Sequence, residues 1–454
     1  MQTSELKGKD KSDKLSSPRV ILLGFAITIL IGTVLLALPV SSTTGMSVGI
    51  MDAFFTSTSA VCVTGLIVVD TASAFTTFGE IIIMILIQVG GLGFMTFGVI
   101  VALLLGRKIG LKERLLIQQS TNAFKTQGVV RLSLSIFLIA FIVEVISALI
   151  LALRWKGDYG FLRAFYYGSF HSISSFNNAG FALWPDSLMR HVGDPIVNIV
   201  ITFLFIAGGL GFTVILDIFQ NRNWNGLSLH SKIVITVTAV LLVLGPIVIF
   251  FIEFPNPKTF GDLTLSEKIW ASYFQGVVPR TAGFNTLDIA SMMTASQFFI
   301  IFLMFIGASS GSTGGGIKTS TFALLILSVF STVRGRGDVQ AFNRRISTEL
   351  VLRSLAVIII SLILVLVVTF LLVITESDPS HSYDFMTILF EATSAFGTVG
   401  LSMGLTFDLS PIGKIIIIIM MFVGRLGPLT LAYALAKRNL KQPYRYPEEK
   451  ILIG

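Results

Sequence analysis

Four glycines in this chain could bring backbone carbonyl oxygens together around a cation. Their surrounding segments align without gaps: AFFTSTSAVCVTGL (53–66), GSFHSISSFNNAGF (168–181), ASYFQGVVPRTAGF (271–284) and ILFEATSAFGTVGL (388–401). The shared glycines are Gly65, Gly180, Gly283 and Gly400. Turning consecutive carbonyls to one side needs backbone angles that residues with a Cβ resist, and glycine has no Cβ. Carbonyl oxygens placed in this way can replace the water shell of a dehydrated cation.

The candidate ligands are therefore main-chain oxygens rather than side chains. We assign three residues of each segment to a selectivity filter: Val63, Thr64, Gly65, Asn178, Ala179, Gly180, Thr281, Ala282, Gly283, Thr398, Val399 and Gly400. Three segments also carry a serine six positions before the glycine, whereas the third carries Val277. Because the flanking residues differ between the segments, we expect the filter to be asymmetric.

The elements around these segments repeat as well, at intervals of a little over a hundred residues. An apolar helix precedes each segment, near 20–38, 131–153, 232–252 and 351–374, and another follows, near 80–105, 195–219, 295–333 and 411–436. Non-helical backbone at membrane depth must line a cavity or be buried in protein. The sequence thus predicts an all-α membrane protein with a fourfold pseudo-symmetric repeat of helix, re-entrant pore loop and helix around a central pore, giving eight crossings.

Composition supports a membrane location. The 454 residues are 53% hydrophobic and only 13% charged, with a mean hydropathy of +0.84, whereas soluble domains carry about a quarter charged residues. The net charge of +8 fits the positive-inside rule better than nucleic-acid binding. The single cysteine, Cys62, and the scattered histidines exclude a disulfide framework and give no metal-like spacing.

Most basic residues fall on one side of the predicted helices, which indicates that both termini are cytoplasmic. The expected organisation is a cytoplasmic N-terminal tail (1–18), four repeats (19–106, 107–220, 221–334 and 335–437) and a cytoplasmic C-terminal tail (438–454). The third repeat contains a glycine-rich loop, GASSGSTGGGIKTS (307–320). The basic stretches near 333–345 and 437–454 predict contact with an acidic partner or with membrane lipid.

VTGL, NAGF, TAGF and TVGL in four such repeats resemble the Trk/Ktr/HKT superfamily of potassium transporters, over about residues 19 to 440. The chain begins at the first repeat and so most resembles a Ktr-type bacterial membrane subunit. The resemblance implies potassium uptake across the bacterial plasma (inner) membrane, channel-like and driven by the membrane potential, with potassium bound only by backbone carbonyls. It leaves open whether sodium is coupled or an activator. Glycine rather than serine at Gly65 favours potassium over sodium within this superfamily.

The same resemblance implies partners. Ktr-type subunits form homodimers and sit on a cytosolic ring of regulatory subunits that bind nucleotides (ATP/ADP, NAD). No cofactor is then expected in this chain. The glycine-rich loop does not match a Walker A phosphate loop, because Ile317 separates Gly316 from Lys318 and a helix rather than a strand precedes it.

The resemblance also implies that the glycine-rich loop is a gate beneath the filter, although glycine in a membrane helix can equally mark a passive kink. The predicted gate comprises Ala308, Ser309, Ser310, Gly311, Ser312, Thr313, Gly314, Gly315, Gly316 and Lys318, together with Arg425. A charge at bilayer depth normally faces a cavity or a partner. For Arg425 the alternative is a buried ion pair with Glu391, Glu144 or Asp217.

Two rival functions fit the sequence less well. An ion-coupled secondary transporter, a sodium or proton symporter, often uses inverted repeats and broken helices with acids at the membrane midplane, whereas these four repeats are parallel. A membrane-embedded enzyme would need clustered acids, histidines or serine–lysine pairs at depth, and the inner helices show none. We therefore do not expect an enzyme.

Overall fold

The computed structural model describes residues 17–93, 128–377 and 383–428, together with the single positions 99, 103, 110, 115 and 447. The described chain is mainly helical and is built from four repeats, each with an outer, a short and an inner helix. The four outer helices are Ser17–Leu36, Val129–Tyr159, Leu229–Glu253 and Thr348–Thr375. All four are long and apolar enough to cross a membrane.

Each outer helix packs against the short helix of its own repeat. The short helices 1 to 4 are Ile50–Val61, Phe161–Phe176, Leu265–Val277 and Phe385–Gly397. Short helix 3 begins with a capping box, in which the Thr264 side chain accepts from the backbone N–H of Glu267 and the Glu267 carboxylate accepts from that of Thr264. At 12 to 16 residues these helices are too short to span a bilayer, which agrees with the predicted re-entrant segments.

The inner helices differ most from the sequence prediction. Inner helices 1 and 4 are described as Thr77–Leu92 and Pro411–Leu426, and their predicted continuations to 105 and 436 lie outside the described residues. Inner helix 2 was predicted as one helix over 195–219, which is wrong. It is two helices, Pro195–Gly209 and Phe212–Gln220, bent by 94°. The bend is possible because Gly211 has a φ of +93°.

Inner helix 3 is interrupted, as the glycine-rich loop predicts. It consists of Thr294–Phe305 and Thr319–Val333. The described residues contain four spanning helices, or five if the bent inner helix 2 is one span, and the eight crossings stay a prediction.

The four repeats close into a ring. Each inner helix packs against the short helix of its own repeat or of the next one, and inner helix 4 returns to short helix 1. An ion pair links these last two helices, with Lys414 Nζ 2.7 Å from the Asp52 carboxylate. This closed order places the C-terminal ends of the four short helices around one axis.

A small β-hairpin follows inner helix 3, where the sequence analysis predicted no strand. Its strands are Val339–Ala341 and Arg344–Ile346, paired antiparallel. The two turn residues, Phe342 and Asn343, have φ values of +48° and +60°, as a two-residue type I′ turn requires. Single helical turns complete the described chain, at Thr71–Ala74, Pro257–Phe260 and Leu405–Asp408, with 3₁₀ turns at Pro39–Ser41, Met189–His191 and Trp224–Gly226.

The outer helices expose apolar side chains over a wide surface. On outer helix 1, Ile29 is 4% exposed whereas Leu30 and Val34 are 59% and 65% exposed. Outer helix 4 shows the same pattern at Leu366 and Phe370. An exposed apolar surface of this kind marks contact with membrane, and this fits a multi-pass membrane protein.

Candidate functional site

The four shared glycines end four turns with the same backbone pattern. In each turn the glycine and the residue two positions before it have positive φ, and the residue between them does not. The non-glycine members are Val63, Asn178, Thr281 and Thr398, with φ between +48° and +78°. Such conformations are uncommon for residues with a Cβ and cost of order 1–3 kcal/mol each. Alternating signs of φ turn successive peptide groups to one side, a geometry that other proteins use to bind anions through N–H groups.

The turns meet in cyclic order. A Cβ added at any of the four glycines would lie no more than 3.0 Å from the carbonyl oxygen that precedes the glycine of a neighbouring turn. Gly65 faces the oxygen of Ala179, Gly180 that of Ala282, Gly283 that of Val399, and Gly400 that of Thr64. The twelve residues assigned to the filter are thus brought together, although they are separated by more than three hundred residues of sequence.

Serines at the sixth position before the glycine fix the orientation of two turns. Ser59 Oγ accepts from Gly65 N–H at 3.0 Å, and Ser394 Oγ accepts from Gly400 N–H at 3.1 Å. The residue before each of these glycines donates its N–H to the same serine's carbonyl oxygen, at 2.8 Å and 2.9 Å. In the second turn Ser174 Oγ instead donates to Phe181 O. These bonds direct the N–H groups of the first and fourth turns back to their short helices, and the carbonyl oxygens that precede the four glycines lie against the glycines of neighbouring turns.

The third turn is the exception, which agrees with the expected asymmetry. Val277 gives it no serine cap, and a charged side chain that the sequence analysis missed lies beside it. Arg280 is 8% exposed, its Nη2 donates to Thr238 Oγ1 at 3.4 Å, and its Nε has no partner among the described residues. A lone arginine in a segment of small and apolar residues was the sequence signal that could have identified it.

A cavity of about 380 Å³ opens onto one side of the turns. All four glycines line it, together with residues that follow them in the chain and the acids Asp186 and Asp288. Asp186 is bound by Arg190, and although partial burial opposes ionisation, the arginine's hydrogen bonds and charge hold the pKa of that carboxyl below its usual value. The Arg190 guanidinium also offsets the charge of Asp186, whereas Asp288 forms no ion pair with a described residue and would attract cations to this side of the turns.

The glycine-rich loop covers the opposite side of the turns. Asn178 Nδ2 donates to Thr313 Oγ1 at 2.6 Å. A Cβ on Gly314 would meet the side chain of Thr281, and one on Gly315 would meet that of Thr398. The loop thus contacts three of the four residues that lie two positions before the glycines. Only a loop with glycine at these two positions can approach so closely.

Inner helix 2 anchors the loop at its bend. Ser309 N–H donates to Gly209 O at 3.0 Å, Thr313 N–H to Gly208 O at 3.2 Å, and Phe212 N–H to Gly311 O at 3.0 Å. The remaining loop residues bond within the loop or to its flanks. Ala308 O accepts from Thr319 N–H, Ser310 Oγ lies 3.1 Å from Ser320 Oγ, Ser312 Oγ donates to Ser309 O, and Gly316 packs against Gly307.

Two cationic side chains bind the loop's carbonyl oxygens. Lys318 Nζ donates to Gly314 O at 2.7 Å. The Arg425 guanidinium donates to Thr313 O and, at 2.5 Å and 3.2 Å, to Gly90 O and Gly91 O of inner helix 1. Arg425 therefore links the loop of the third repeat to the first repeat, from a position on inner helix 4.

The alternative ion pair for Arg425 does not form in the described structure. Glu391 accepts from Ser402 and Thr406, and Glu144 accepts from Gln88 and Asn177. Asp217 accepts from Ser231 Oγ and Ser228 N–H at the start of outer helix 3. Since each of these carboxylates has other partners, Arg425 is held by main-chain oxygens alone among the described residues.

The ring of four repeats and its central turns define a pore-loop class of membrane protein. The chain belongs to the TrkH family of cation transport proteins, whose sequence model matches residues 14–443. It is 49% identical to the Ktr system potassium uptake protein B of Bacillus subtilis, covering 98% of this chain and 99% of that protein. It is 42% identical to the protein of the same name from Vibrio alginolyticus, covering 98% and 97%. The predicted family resemblance is confirmed.

The fold is similar to a solved structure of the same family. The crystal structure of the potassium transporter TrkH from Vibrio parahaemolyticus superposes with a TM-score of 0.72, covering 96% of this chain and 87% of that one. The sequence identity is 19%, so this likeness concerns the fold alone. It confirms the predicted fold class.

Proposed function

We propose that this protein takes up potassium across the bacterial plasma membrane through the axis between its four turns. The observation that carries the proposal is the cyclic arrangement, in which each glycine faces the carbonyl oxygen that precedes the next glycine. A ring of carbonyl dipoles replaces the hydration shell of potassium in selectivity filters. The two relatives named as potassium uptake proteins, at 49% and 42% identity, support the same cargo.

The membrane potential is a sufficient driving force. One elementary charge moving through about 100 mV gains roughly 2.3 kcal/mol, which corresponds to about fifty-fold accumulation at roughly 1.4 kcal/mol per factor of ten. Uptake therefore needs no built-in coupling to a second ion, and any sodium dependence would be that of an activator. The competing function is a symporter coupled to sodium or protons.

Rubidium flux into liposomes that contain the purified protein separates these two functions. With equal sodium and pH on both sides, we expect uptake to follow an imposed potassium-diffusion potential and to stop when that potential is collapsed. A symporter would also respond to voltage, but at zero potential an inward sodium or proton gradient alone would drive it to accumulate rubidium. Accumulation of rubidium under those conditions would replace the channel-like mechanism by coupled transport.

The glycine-rich loop is the gate of this path. It covers the side of the turns opposite the acidic cavity and is held by Asn178, Lys318 and Arg425. Passage requires the loop to leave the axis, and its glycines supply the backbone freedom for that movement. The two bound cationic groups also raise the energy of a potassium ion beneath the filter while the loop is in place.

Control of the gate comes from outside this chain. The relatives' description as one component of a Ktr system supports a multi-component assembly. We assign this chain the role of the homodimeric membrane subunit, which sits on a cytosolic ring of nucleotide-binding subunits. ATP/ADP or NAD would then act through the ring. In this arrangement both termini and the basic stretches near 333–345 and 437–454 face the cytoplasm. The four repeats have the boundaries that the sequence predicts.

Replacing Arg425 by glutamine should raise rubidium flux about tenfold or more, because a hydrogen bond to a charged group contributes about 1.5–3 kcal/mol and Arg425 makes several to the loop and inner helix 1. The measurement is initial flux per reconstituted protein without a partner. Lys414→Gln is the control, because it removes a charge from the same helix but from an ion pair with Asp52 rather than from the loop. Equal flux in both variants and the unmodified protein would contradict a restraining role for Arg425.

A further inference from the structure

A cavity of about 760 Å³ lies beside the glycine-rich loop, away from the axis. The second half of inner helix 2, the second half of inner helix 3, the β-hairpin and the first turns of outer helices 3 and 4 surround it. Ser310 and Ser320, whose hydroxyls are 3.1 Å apart, form the wall that it shares with the loop. A molecule in this cavity would therefore touch the loop directly.

Most of the cavity wall is apolar. Its apolar members come from four elements and are Leu229, Ile233, Leu324, Ile346 and Leu350. The volume lies within the range of about 300–1,000 Å³ that is usual for ligand sites. Leu350 is 49% exposed, so the cavity wall reaches the outside of the protein at an apolar side chain of outer helix 4. A hydrocarbon chain could enter there.

The polar part of the wall suits an anion. Ser354 is 7% exposed, lines the cavity and forms no hydrogen bond with any described residue. The N-terminal ends of Thr319–Val333 and of outer helix 4 reach the cavity, and helix N-termini carry partial positive charge. The N-terminus of outer helix 3 also reaches the cavity but is already occupied by the Asp217 carboxylate. Arg345 lies at the same wall, is exposed and pairs with the exposed Asp338 at 2.9 Å, its single ion-pair partner in the described part of the chain.

The hairpin lies at a level that fits a lipid headgroup. Trp224 packs against Phe342 in the hairpin turn, with ring centroids 6.0 Å apart, and both side chains are more than 40% exposed. Exposed tryptophan is enriched where membrane meets water. The surrounding stretch, 334–345, contains four arginines and one acid, which attracts anionic headgroups.

We propose that the cavity binds an anionic phospholipid, with an acyl chain between the helices and the phosphate against Arg345. The cavity exists while the loop covers the turns, and a ligand favours the arrangement that it fits. Lipid binding therefore stabilises the closed loop and lowers ion flux. The effect on flux depends on the proposed gate, whereas the binding itself does not.

Binding is tested by native mass spectrometry of the full-length protein purified with phosphatidylglycerol. We expect the unmodified protein to retain a bound phosphatidylglycerol. Ser354→Phe should lose this lipid, because the new ring fills the cavity, and Arg345→Gln should bind it more weakly. Arg353→Gln is the matched control, since Arg353 is exposed and paired with Glu349 at 2.7 Å but does not line the cavity. Equal retention by all four proteins overturns the proposal.

The consequence for transport is measured as rubidium flux in phosphatidylcholine vesicles with a rising fraction of phosphatidylglycerol. Flux should fall severalfold for the unmodified protein and Arg353→Gln, and stay level for Ser354→Phe, whose flux in pure phosphatidylcholine confirms that it is folded. Flux that is present but equally insensitive in all variants rejects the regulation and leaves potassium transport intact. If glycerol phosphate in solution lowers flux as well as the lipid does, the ligand is a soluble anion and the lipid assignment is wrong.

Discussion

Replacing Gly65 by serine is expected to lower the preference for potassium over sodium by about tenfold or more, because the new Cβ displaces a filter carbonyl oxygen and a loss of about 1.4 kcal/mol in potassium binding is a factor of ten. Gly65 has a φ of +90°, and a Cβ there would meet Ala179 O and would lie 3.1 Å from Gly180 Cα. The new side chain must displace an oxygen of the neighbouring turn. Gly400→Ser should act in the same way, since its Cβ would meet Thr64 O. The measurement is rubidium uptake in liposomes against increasing sodium.

The chain offers a control that separates strain from contact. Gly45 also has a positive φ, +69°, but a Cβ there would meet nothing within 4 Å. Gly45→Ser should therefore keep the ion preference of the unmodified protein, although it carries a similar backbone strain. If Gly65→Ser and Gly400→Ser both retain that preference as well, the assignment of these turns to a filter fails.

Deleting 310–315 should raise rubidium flux by an order of magnitude or more, because the deletion removes what lies beneath the turns. The lost contacts include the 2.6 Å hydrogen bond from Asn178 to Thr313 and the carbonyl oxygens that bind Lys318 and Arg425. Each hydrogen bond to a charged group is worth about 1.5–3 kcal/mol. Flux is compared after the inserted amount and the monodispersity of each protein have been matched.

A pair of single substitutions controls for misfolding that the deletion could cause. Thr313→Val removes the hydroxyl that Asn178 binds and should raise flux to an intermediate level. Thr332→Val makes the same change on inner helix 3, where the hydroxyl donates to Ser328 O at 2.9 Å and touches no turn, so flux should be unchanged. Lower or unaltered flux after both the deletion and Thr313→Val would mean that the loop is a passive kink.

The repeat and its turns could be predicted because they depend on local chemistry that the sequence carries four times. Gly65 and its three counterparts stand in register, and apolar helices of spanning length flank every segment. The aligned segments also share Ser59 and Ser394, but the alignment does not predict that these serines accept hydrogen bonds from the glycine N–H groups. Those bonds depend on how each short helix ends, which the spacing of residues does not determine.

Features that depend on contacts between repeats could not be predicted. The bend at Gly211 is accompanied by a hydrogen bond from Phe212 N–H to Gly311 O, and these two residues lie in different repeats. Arg425 was predicted as part of the gate, but its hydrogen bonds to Gly90 O and Gly91 O follow only from the ring closure of inner helix 4 on the first repeat. The hairpin was missed because Phe342 and Asn343 form its turn without the glycine that usually marks one.

The central claim is that carbonyl oxygens from the four turns bind a dehydrated potassium ion on their common axis. Anomalous diffraction from crystals soaked in rubidium or thallium tests it most directly. We expect a peak on the axis, within coordination distance of the carbonyl oxygens of Thr64, Ala179, Ala282 and Val399. Cation peaks confined to the acidic cavity or the protein surface, with none between the turns of a protein that still transports rubidium, would contradict it.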